Sequence, residues 1–225
     1  MHRAIRSYVI RTGRITPAQQ RALGEHWARF GVEFEPAVLD LTRLFGRVAA
    51  RTLEIGFGNG EHLLQRALSQ PEQDFIGVEV HRPGIGHLLL AAAQADIANL
   101  RIIAHDAVEV LEQQIAPADL NEVQLLFPDP WPKKRHHKRR IVQHEFVMLL
   151  ASRLAAGGRV HLATDWEPYA EEMLQVLNGC SLLVNCAAGG GFIDADAVLA
   201  RNATRFQRRG ERLGHRVREL LFRRR

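Results

Sequence analysis

From Thr52 onward, short apolar runs alternate with segments of helical periodicity, and this alternation is the feature that most constrains the fold. Strands separated by helical spans of about 10–15 residues are typical of βαβ units, which build a mostly parallel sheet with helices on both faces. The apolar runs predict strands at residues 52–55, 75–80, 100–104, 123–127, 159–163 and 181–186, with an edge strand at 217–222. The helical segments lie near residues 60–69, 83–96, 106–115, 140–155 and 166–178. The sequence therefore predicts an α/β fold with a single doubly wound, mostly parallel sheet.

The segments at the two ends of the chain differ from this alternation in composition. Thr16 and Pro17 predict a helix start, because a hydroxyl favours the cap and proline favours the first helical position. We expect that helix to end near residue 30 and a second helix to cover residues 36–45. Residues 1–15 lack acids and helical periodicity and predict a flexible basic arm, although such a start is also typical of a transit peptide. One domain of residues 16–225 is expected to follow, with a basic segment at 201–216 before the last strand.

The net charge of +5 is the sum of two opposite charges in different parts of the chain. Residues 1–16, 133–140 and 201–225 together carry a net +18, which leaves −13 on the remaining residues. The three lysines of the chain all lie in residues 133–140, whereas its other basic residues are arginines. This distribution predicts an acidic body with basic segments that bind a polyanion.

Composition excludes several classes of protein. With 46% hydrophobic and 24% charged residues, the chain does not resemble a disordered protein. No apolar run approaches the roughly 18 residues that a membrane span needs, so no membrane contact is expected. Two cysteines are too few for a disulfide framework, and we predict Cys180 and Cys186 to be reduced core residues of a cytoplasmic protein. The eleven histidines show no metal-ligand spacing, and no metal is predicted.

The first predicted strand ends in a glycine-rich loop. Gly56, Gly58 and Gly60 stand at alternate positions after Glu54, which lets the backbone turn tightly and approach a ligand. The spacing differs from the G-x-G-x-x-G of a dinucleotide-binding loop. A cofactor loop and a tight strand-to-helix turn both agree with this pattern.

Acidic residues lie at the ends of the next two predicted strands. Glu79 lies 23 residues after Gly56, where a carboxylate can bind both hydroxyls of a ribose. Asp106 can accept from an adenine amine, cap the next helix, or do both. S-adenosylmethionine fits these strand ends best, with Glu54 a partner for its amino group, while nicotinamide cofactors fit less well.

The fourth predicted strand ends in a stiff, proline-rich loop that contains Asp129 and Trp131. Three prolines in five residues restrict the backbone, and six Lys or Arg follow directly at 133–140. Cations suit phosphates and an aromatic ring can stack on a base, although a rigid surface turn is the simpler alternative. Asp165 follows the fifth strand, where a helix cap is the alternative role.

These motifs closely resemble the bacterial tRNA (guanine-N7)-methyltransferases over nearly the whole chain. The matching segments are RSYVIRTGRIT at 6–16, LEIGFGNG at 53–60, QDFIGVEVH at 73–81, HDAVEVL at 105–111, FPDPWPKKRHHKRR at 127–140, ATDWEPYAEEML at 163–174 and TRFQRRGERLGH at 204–215. The resemblance implies a seven-strand class I methyltransferase fold with S-adenosylmethionine as methyl donor. The acceptor it implies is N7 of a guanine in the tRNA variable loop.

The resemblance also implies roles for individual residues. Asp129 is expected to be the catalytic residue, and the cofactor site is expected to comprise Glu54, Gly56, Gly58, Gly60, Glu79, Asp106 and Asp129. The expected substrate-binding residues are Lys133, Asp165, Thr204, Arg205, Phe206 and Gln207. The expected RNA contacts are Arg135, His136, His137, Lys138, Arg139 and Arg140. Gln207 stands where the family usually has Glu, which puts a carboxylate role at that position in doubt.

Two other functions remain open at this point. A nucleic-acid methyltransferase that acts on an exocyclic amine has a related proline-containing loop, but with a double proline after the polar residue. A non-catalytic RNA-binding subunit with the same fold is the second alternative, and the intact glycine loop, Glu79 and Asp129 argue against it. We expect a monomer that binds tRNA, with a dimer as the alternative.

Overall fold

An eight-stranded sheet forms the centre of the part of the chain that the computed structural model describes, residues 7–8, 13–193 and 216–225. Its strands are β1 Gly31–Val32, β2 Arg51–Ile55, β3 Asp74–Val78, β4 Leu100–Ile103, β5 Leu120–Leu126, β6 Leu154–Thr164, β7 Leu183–Asn185 and β8 Arg218–Arg224. Their order across the sheet is β1-β4-β3-β2-β5-β6-β8-β7. All pairs are parallel except those of β8, which runs antiparallel between β6 and β7.

Helices connect these strands and cover the sheet. They are α1 Pro17–Glu25, α2 Trp27–Phe30, α3 Leu41–Phe45, α4 Glu61–Ser69, α5 Arg82–Gln94, α6 Ala107–Gln113, α7 His144–Arg153 and α8 Glu167–Asn178. Short 3₁₀ turns span Lys134–Arg139 and Ala188–Gly190. No helix within the described ranges is both long and apolar enough to cross a membrane.

The predicted fold class is confirmed, and each predicted strand corresponds to an observed one. The sheet has one strand more than the seven expected, because the two-residue strand β1 adds to the edge beside β4. Two residues are too few to show alternation in the sequence. The expected arm and basic segment, residues 1–15 and 201–216, lie outside the described residues except for 7–8, 13–15 and 216.

The two N-terminal helices differ from their predicted extents. Thr16 caps α1 through a reciprocal capping box with Gln19, as the Thr-Pro pair indicates. The helical segment is interrupted at His26 and resumes as α2. The second predicted helix begins only at Leu41, because the side chain of Asp40 accepts from the backbone N–H of Arg43 and starts the helix there.

Two apolar clusters lie on the sheet and hold the helices in place. The larger cluster joins β2, β5, β6 and β8 to α6, α7 and α8, and includes the fully buried Tyr169. The smaller cluster joins β3 and β4 to α1, α4 and α5 around Phe30 and Phe75. Cys180 is buried in the larger cluster, but Cys186 is exposed, so the prediction that it is a core residue is wrong. Both thiols are free.

A buried polar network lies on β5, where two side chains on one face of the strand are polar. Glu122 accepts from Arg66 of α4 at 2.8 Å, from Arg159 of β6 at 3.1 Å and from Gln124 at 2.6 Å. Gln124 in turn contacts His62 of α4 at 3.0 Å. Burial by itself raises the pKa of Glu122, but Arg66 and then Arg159 hold that pKa below its usual value. This network ties α4 to the middle of the sheet.

We predict that Glu122→Gln lowers the free energy of unfolding at pH 7 by about 3 kcal/mol, because it leaves two partly buried guanidiniums without their carboxylate. Folding lowers the pKa of Glu122, so its stabilisation is complete above the usual value of 4.5 and is lost as pH falls through the lower folded-state value. Urea unfolding at several pH values measures both effects.

Glu72→Gln, which changes an exposed glutamate, serves as the control and is expected to unfold as the wild type does. Equal stability of the Glu122 and Glu72 variants at pH 7 would contradict the prediction.

Candidate active site at the carboxyl edge of the sheet

Five parallel strands end at the same level, which defines one edge of the sheet. The residues paired along this level are Ile103, Val78, Ile55, Leu125 and Leu162. The predicted site residues follow that level within one to four positions along each chain segment: Asp106, Glu79, Gly56, Asp129 and Asp165. Neighbouring strands lie about 4.8 Å apart, so the register brings these five strand ends together.

The glycine loop after β2 leaves open space at this edge. Gly56 and Gly58 have φ values of 71° and 60°, a region that residues with a Cβ rarely adopt. A Cβ built at either position meets no heavy atom within 4 Å, so the backbone of the loop is open to a ligand. Gly60 ends the loop as the N-cap of α4, and Glu54 is buried at the end of β2.

Glu79 holds the glycine loop from the neighbouring strand. Its Oε2 accepts from the backbone N–H of Gly58 at 2.8 Å. Its Oε1 accepts from the N–H groups of Val80 and His81 at 2.7 and 3.0 Å. A carboxylate has about four acceptor positions, so these bonds leave capacity for a ligand hydroxyl. The binding of a ribose by Glu79 stays a prediction.

Helix α5 also contacts the glycine loop, through residues that the sequence analysis missed. A Cβ at Gly84 would lie 2.0 Å from the carbonyl oxygen of Gly58, so only glycine allows the helix to approach this closely. His87 Nδ1 lies 2.9 Å from the carbonyl oxygen of Asn59. A glycine inside a helical segment was the available signal, since it often indicates a close approach of two backbones.

Asp106 caps α6, as one of its two predicted roles requires. Its Oδ1 accepts from the N–H groups of Val108 and Glu109, at 2.8 and 3.4 Å. Within the described residues Oδ2 has no hydrogen-bond partner, so the cap leaves one oxygen of the carboxylate for a ligand. Beside it, the rings of His105 and Phe34 stack with centroids 3.6 Å apart, which adds an aromatic wall from the segment after β1.

The loop after β5 carries Asp129 between two residues with unusual backbone conformations. Phe127 and Trp131 have φ values of 54° and 45°, which is unfavourable for bulky side chains. The N–H of Phe127 donates to the carbonyl oxygen of Ala163 at 2.7 Å, which attaches the start of the loop to β6. Asp129 itself is exposed and forms no hydrogen bond or ion pair with other described residues. Among the described residues, the loop therefore presents a carboxylate without a partner on a constrained backbone.

Trp131 connects this loop to the basic segment and to the N-terminal residues. Its Nε1 donates to the carbonyl oxygen of Ser7 at 3.2 Å. The guanidinium of Arg139 lies over the indole at 5.0 Å, and His136 meets the indole edge-on at 5.8 Å. The indole of Trp131 is therefore packed against residues of the basic segment.

The 3₁₀ turn Lys134–Arg139 concentrates positive charge next to Asp129. The exposed cations of this turn are Lys134, Arg135 and Lys138, and the preceding Lys133 is exposed as well. Partial burial, followed by repulsion from Arg135 and Arg139, lowers the pKa of His136. The shift indicates a strongly positive local potential, which suits a polyanion.

Arg140 differs from the other predicted RNA contacts, because only 3% of its surface is exposed. Its Nε donates to the carbonyl oxygen of Pro130 at 2.9 Å, and its Nη1 pairs with Glu172 of α8. The guanidinium also lies 4.7 Å from the ring centroid of Tyr169. These contacts engage the Arg140 side chain within the protein, and its contact with RNA stays a prediction.

The remaining predicted substrate residues divide into two groups. Asp165 lies just before Trp166, the N-cap of α8, and the hydroxyl of Thr164 accepts from the N–H of Trp166 at 3.2 Å. Thr204, Arg205, Phe206 and Gln207 lie outside the described residues. Within the described ranges, no group of three or more His, Cys, Asp or Glu side chains is arranged to hold a metal ion.

Comparison with known proteins identifies the family. A family model described as a putative methyltransferase matches residues 49–220. The tRNA (guanine-N(7)-)-methyltransferase of Leifsonia xyli subsp. xyli is 55% identical over 97% of this chain and 95% of that protein. The protein of the same name from Thiobacillus denitrificans is 54% identical over 98% and 96% of the two chains.

A solved structure supports the fold independently. The crystal structure of the 16S rRNA methyltransferase KamB superposes with a TM-score of 0.60 and 16% identity, over 83% of this chain and 94% of that one. Identity this low supports the fold and not the substrate. From the family model and the two close relatives, we conclude that this chain belongs to the methyltransferase family that includes the bacterial tRNA (guanine-N(7)-)-methyltransferases.

Proposed function

We propose that this protein transfers a methyl group from S-adenosylmethionine to N7 of a guanine in the variable loop of tRNA. The observation that carries the proposal is the arrangement of the carboxyl edge. An open glycine loop lies between strand ends that carry Glu79 on one side and the exposed Asp129, with its basic segment, on the other. One edge thus combines a place for a nucleoside cofactor with a place for a polyanionic substrate.

The described residues fit S-adenosylmethionine. Gly56 and Gly58 leave room for a ligand against the backbone, and the partly exposed Glu79 and Asp106 keep acceptor capacity toward hydroxyl and amino groups. Glu54 is placed at the end of β2, where a carboxylate suits the amino group of the cofactor. When bound, S-adenosylmethionine supplies an electrophilic methyl group carried on a sulfonium.

The acceptor chemistry explains why carboxylates dominate this edge. Guanine N7 has an in-plane lone pair and no proton to lose, so the protein does not need a strong general base. It must instead orient the base, exclude water and stabilise the purine as it becomes cationic. We propose that Asp129 and Asp165 supply that negative potential, with the constrained backbone around Asp129 holding its carboxylate in place.

The basic segment next to Asp129 fits a tRNA backbone. Lys133, Arg135 and Lys138 are exposed, and the lowered pKa of His136 indicates strong positive potential around them. We propose that these cations and Arg139 contact phosphates, with Lys133 and Thr204, Arg205, Phe206 and Gln207 binding near the target nucleotide. We further propose that the protein acts on tRNA in the cytoplasm as a monomer.

The experiment that tests this function is transfer of labelled methyl from S-adenosylmethionine to total tRNA, followed by nucleoside analysis. The expected product is 7-methylguanosine from the variable loop. This base makes the RNA strand cleavable by aniline after reduction. Label on an exocyclic amine would support a different methyltransferase. Cofactor binding without transfer to any tRNA would support a non-catalytic subunit.

We predict that Gly84→Ala weakens S-adenosylmethionine binding at least about tenfold, or about 1.4 kcal/mol. The new methyl would lie 2.0 Å from the carbonyl oxygen of Gly58, so either α5 or the glycine loop must move. Isothermal titration calorimetry with the cofactor measures the effect. Gly24→Ala, where a Cβ has open space on an exposed helix face, is the control and should bind as the wild type does. Equal affinities for both variants would show that the contact does not set the shape of the loop.

We predict that Asp129→Asn lowers kcat about 100-fold and changes the Kd of S-adenosylmethionine less than about threefold. Asparagine keeps the size of the side chain and one acceptor oxygen, but it replaces the other oxygen with an NH2 donor and removes the charge beside the base. Single-turnover methylation and cofactor titration separate the two effects. Asp96→Asn, an exposed aspartate at φ 51°, where asparagine is also tolerated, is the control. Parallel losses of rate and cofactor affinity would make Asp129 a cofactor contact instead.

We predict that Arg135→Gln weakens tRNA binding and lowers the slope of log affinity against log salt by roughly 0.7–0.9, because one phosphate is no longer neutralised by the protein. Arg135 is exposed in the turn next to Asp129. Filter binding at several salt concentrations measures the slope. The control is Arg43→Gln, which changes an exposed arginine of α3. This helix lies near the amino ends of the strands, so the variant should leave the slope unchanged. An unaltered slope in the Arg135 variant would remove this residue from the tRNA interface.

A further inference from the structure

Arg140 ends the basic segment, yet its side chain lies in the interior of the protein. The guanidinium donates from Nε to the carbonyl oxygen of Pro130, the residue after Asp129, at 2.9 Å. Nη1 of the same group pairs with the carboxylate of Glu172. A planar fork with several donors can make both bonds at once, which a lysine ammonium cannot do in the same geometry.

The second anchor of Arg140 is the first half of helix α8. The guanidinium lies 4.7 Å from the ring centroid of the fully buried Tyr169, one turn before Glu172. The hydroxyl of Tyr169 accepts from the N–H of Val142 at 3.2 Å, which attaches the chain after Arg140 to the same helix. Because Asp165 lies two residues before the first residue of α8, one guanidinium links the Asp129 loop to the helix that follows Asp165.

The Asp129 loop needs such an anchor. Phe127 and Trp131, on either side of Asp129, both have positive φ values, and such conformations persist only where surrounding contacts hold them. The bond from Phe127 to Ala163 secures the start of the loop, and Arg140 secures its carbonyl at Pro130. Without the second attachment, the carboxylate of Asp129 would be free to shift relative to Asp165.

We propose that Arg140 is a positioning residue, which fixes Asp129 relative to Asp165 by clamping the Pro130 carbonyl to Glu172 and Tyr169 of α8. This proposal rests on the proposed function, in which Asp129 and Asp165 act on the guanine. Displacements of about 1 Å from productive geometry can cost a hundredfold in rate, so a clamp of this kind acts on kcat. The cations of the basic segment thus have two roles. Arg135 and Lys138 face solvent, whereas Arg140 is buried and positions the Asp129 loop.

The most direct test is Glu172→Ala, because Glu172 is 32% exposed on its side chain and can be truncated without opening the core. The clamp predicts a loss of kcat of at least about tenfold, with the KM for tRNA and the Kd for S-adenosylmethionine within about threefold of wild type. Glu171→Ala, an exposed neighbour on the same helix, is the matched control and should keep wild-type kcat. If Arg140 were an RNA contact, removing its acidic partner would leave kcat unchanged and strengthen tRNA binding, and that result would overturn the proposal.

Arg140→Lys provides a second variant that keeps the positive charge. It is expected to lose kcat as Glu172→Ala does, and the double variant is expected to lose little more, because both changes break the same interaction. A raised KM for tRNA and a flatter salt slope at unchanged kcat would assign Arg140 to RNA binding and overturn the clamp.

A readout independent of turnover separates this proposal from the proposed function. The indole N–H signals of ¹⁵N-labelled protein report on Trp131 in the loop and on Trp27 in α2. In Glu172→Ala, the Trp131 signal is expected to shift or broaden while that of Trp27 stays in place. An unshifted Trp131 signal would contradict the clamp even if the wild type methylates tRNA. Failure of the wild type to methylate tRNA would contradict the proposed function and leave this readout intact.

Discussion

Parallel pairing is the constraint on which the rest of the structure depends. After each strand, a helical crossover returns the chain to the end of the sheet where that strand began. The strands β4, β3, β2, β5 and β6 therefore run in the same direction and all end at one edge. Residues that are 20 to 40 positions apart along the chain therefore meet there. The glycine loop, the acids at the strand ends and the basic turn acquire a common location from this topology alone, before any side chain interacts with another.

Arginine has two separate uses in this protein. Arg66 and Arg140 are largely buried, and each pairs with a carboxylate and joins a helix to the sheet or to a loop. Arg135 is exposed beside Asp129. The arginines that enter the net charge of the chain are therefore of two kinds. Some form interior ion pairs that stabilise the fold, and others are exposed and suited to binding a phosphate backbone. The two uses cannot be separated by composition, because both employ the same residue type.

Most of the site could be predicted from the sequence because its parts are local. Glu79 and Asp106 lie at the ends of apolar runs, and each lies within three residues of the end of its strand. The contacts of Gly84 and Arg140 could not be predicted, because each depends on an element distant in the chain. The prediction that Cys186 is a core residue is wrong for a related reason, since whether anything packs over a cysteine depends on the fold.

The sequence by itself determined the α/β class, the strand ends that carry polar residues, and the family to which the chain belongs. Those properties follow from periodicity, turn chemistry and motifs, which are written in consecutive residues. The tertiary structure alone decided which cations face solvent, which glycine touches the loop, and how the Asp129 loop is anchored. Arg139 and Arg140 are adjacent in sequence, yet one lies over the half-buried indole of Trp131 and the other is buried against α8. Burial is a property of the packed neighbours, and those neighbours are brought together only by the fold.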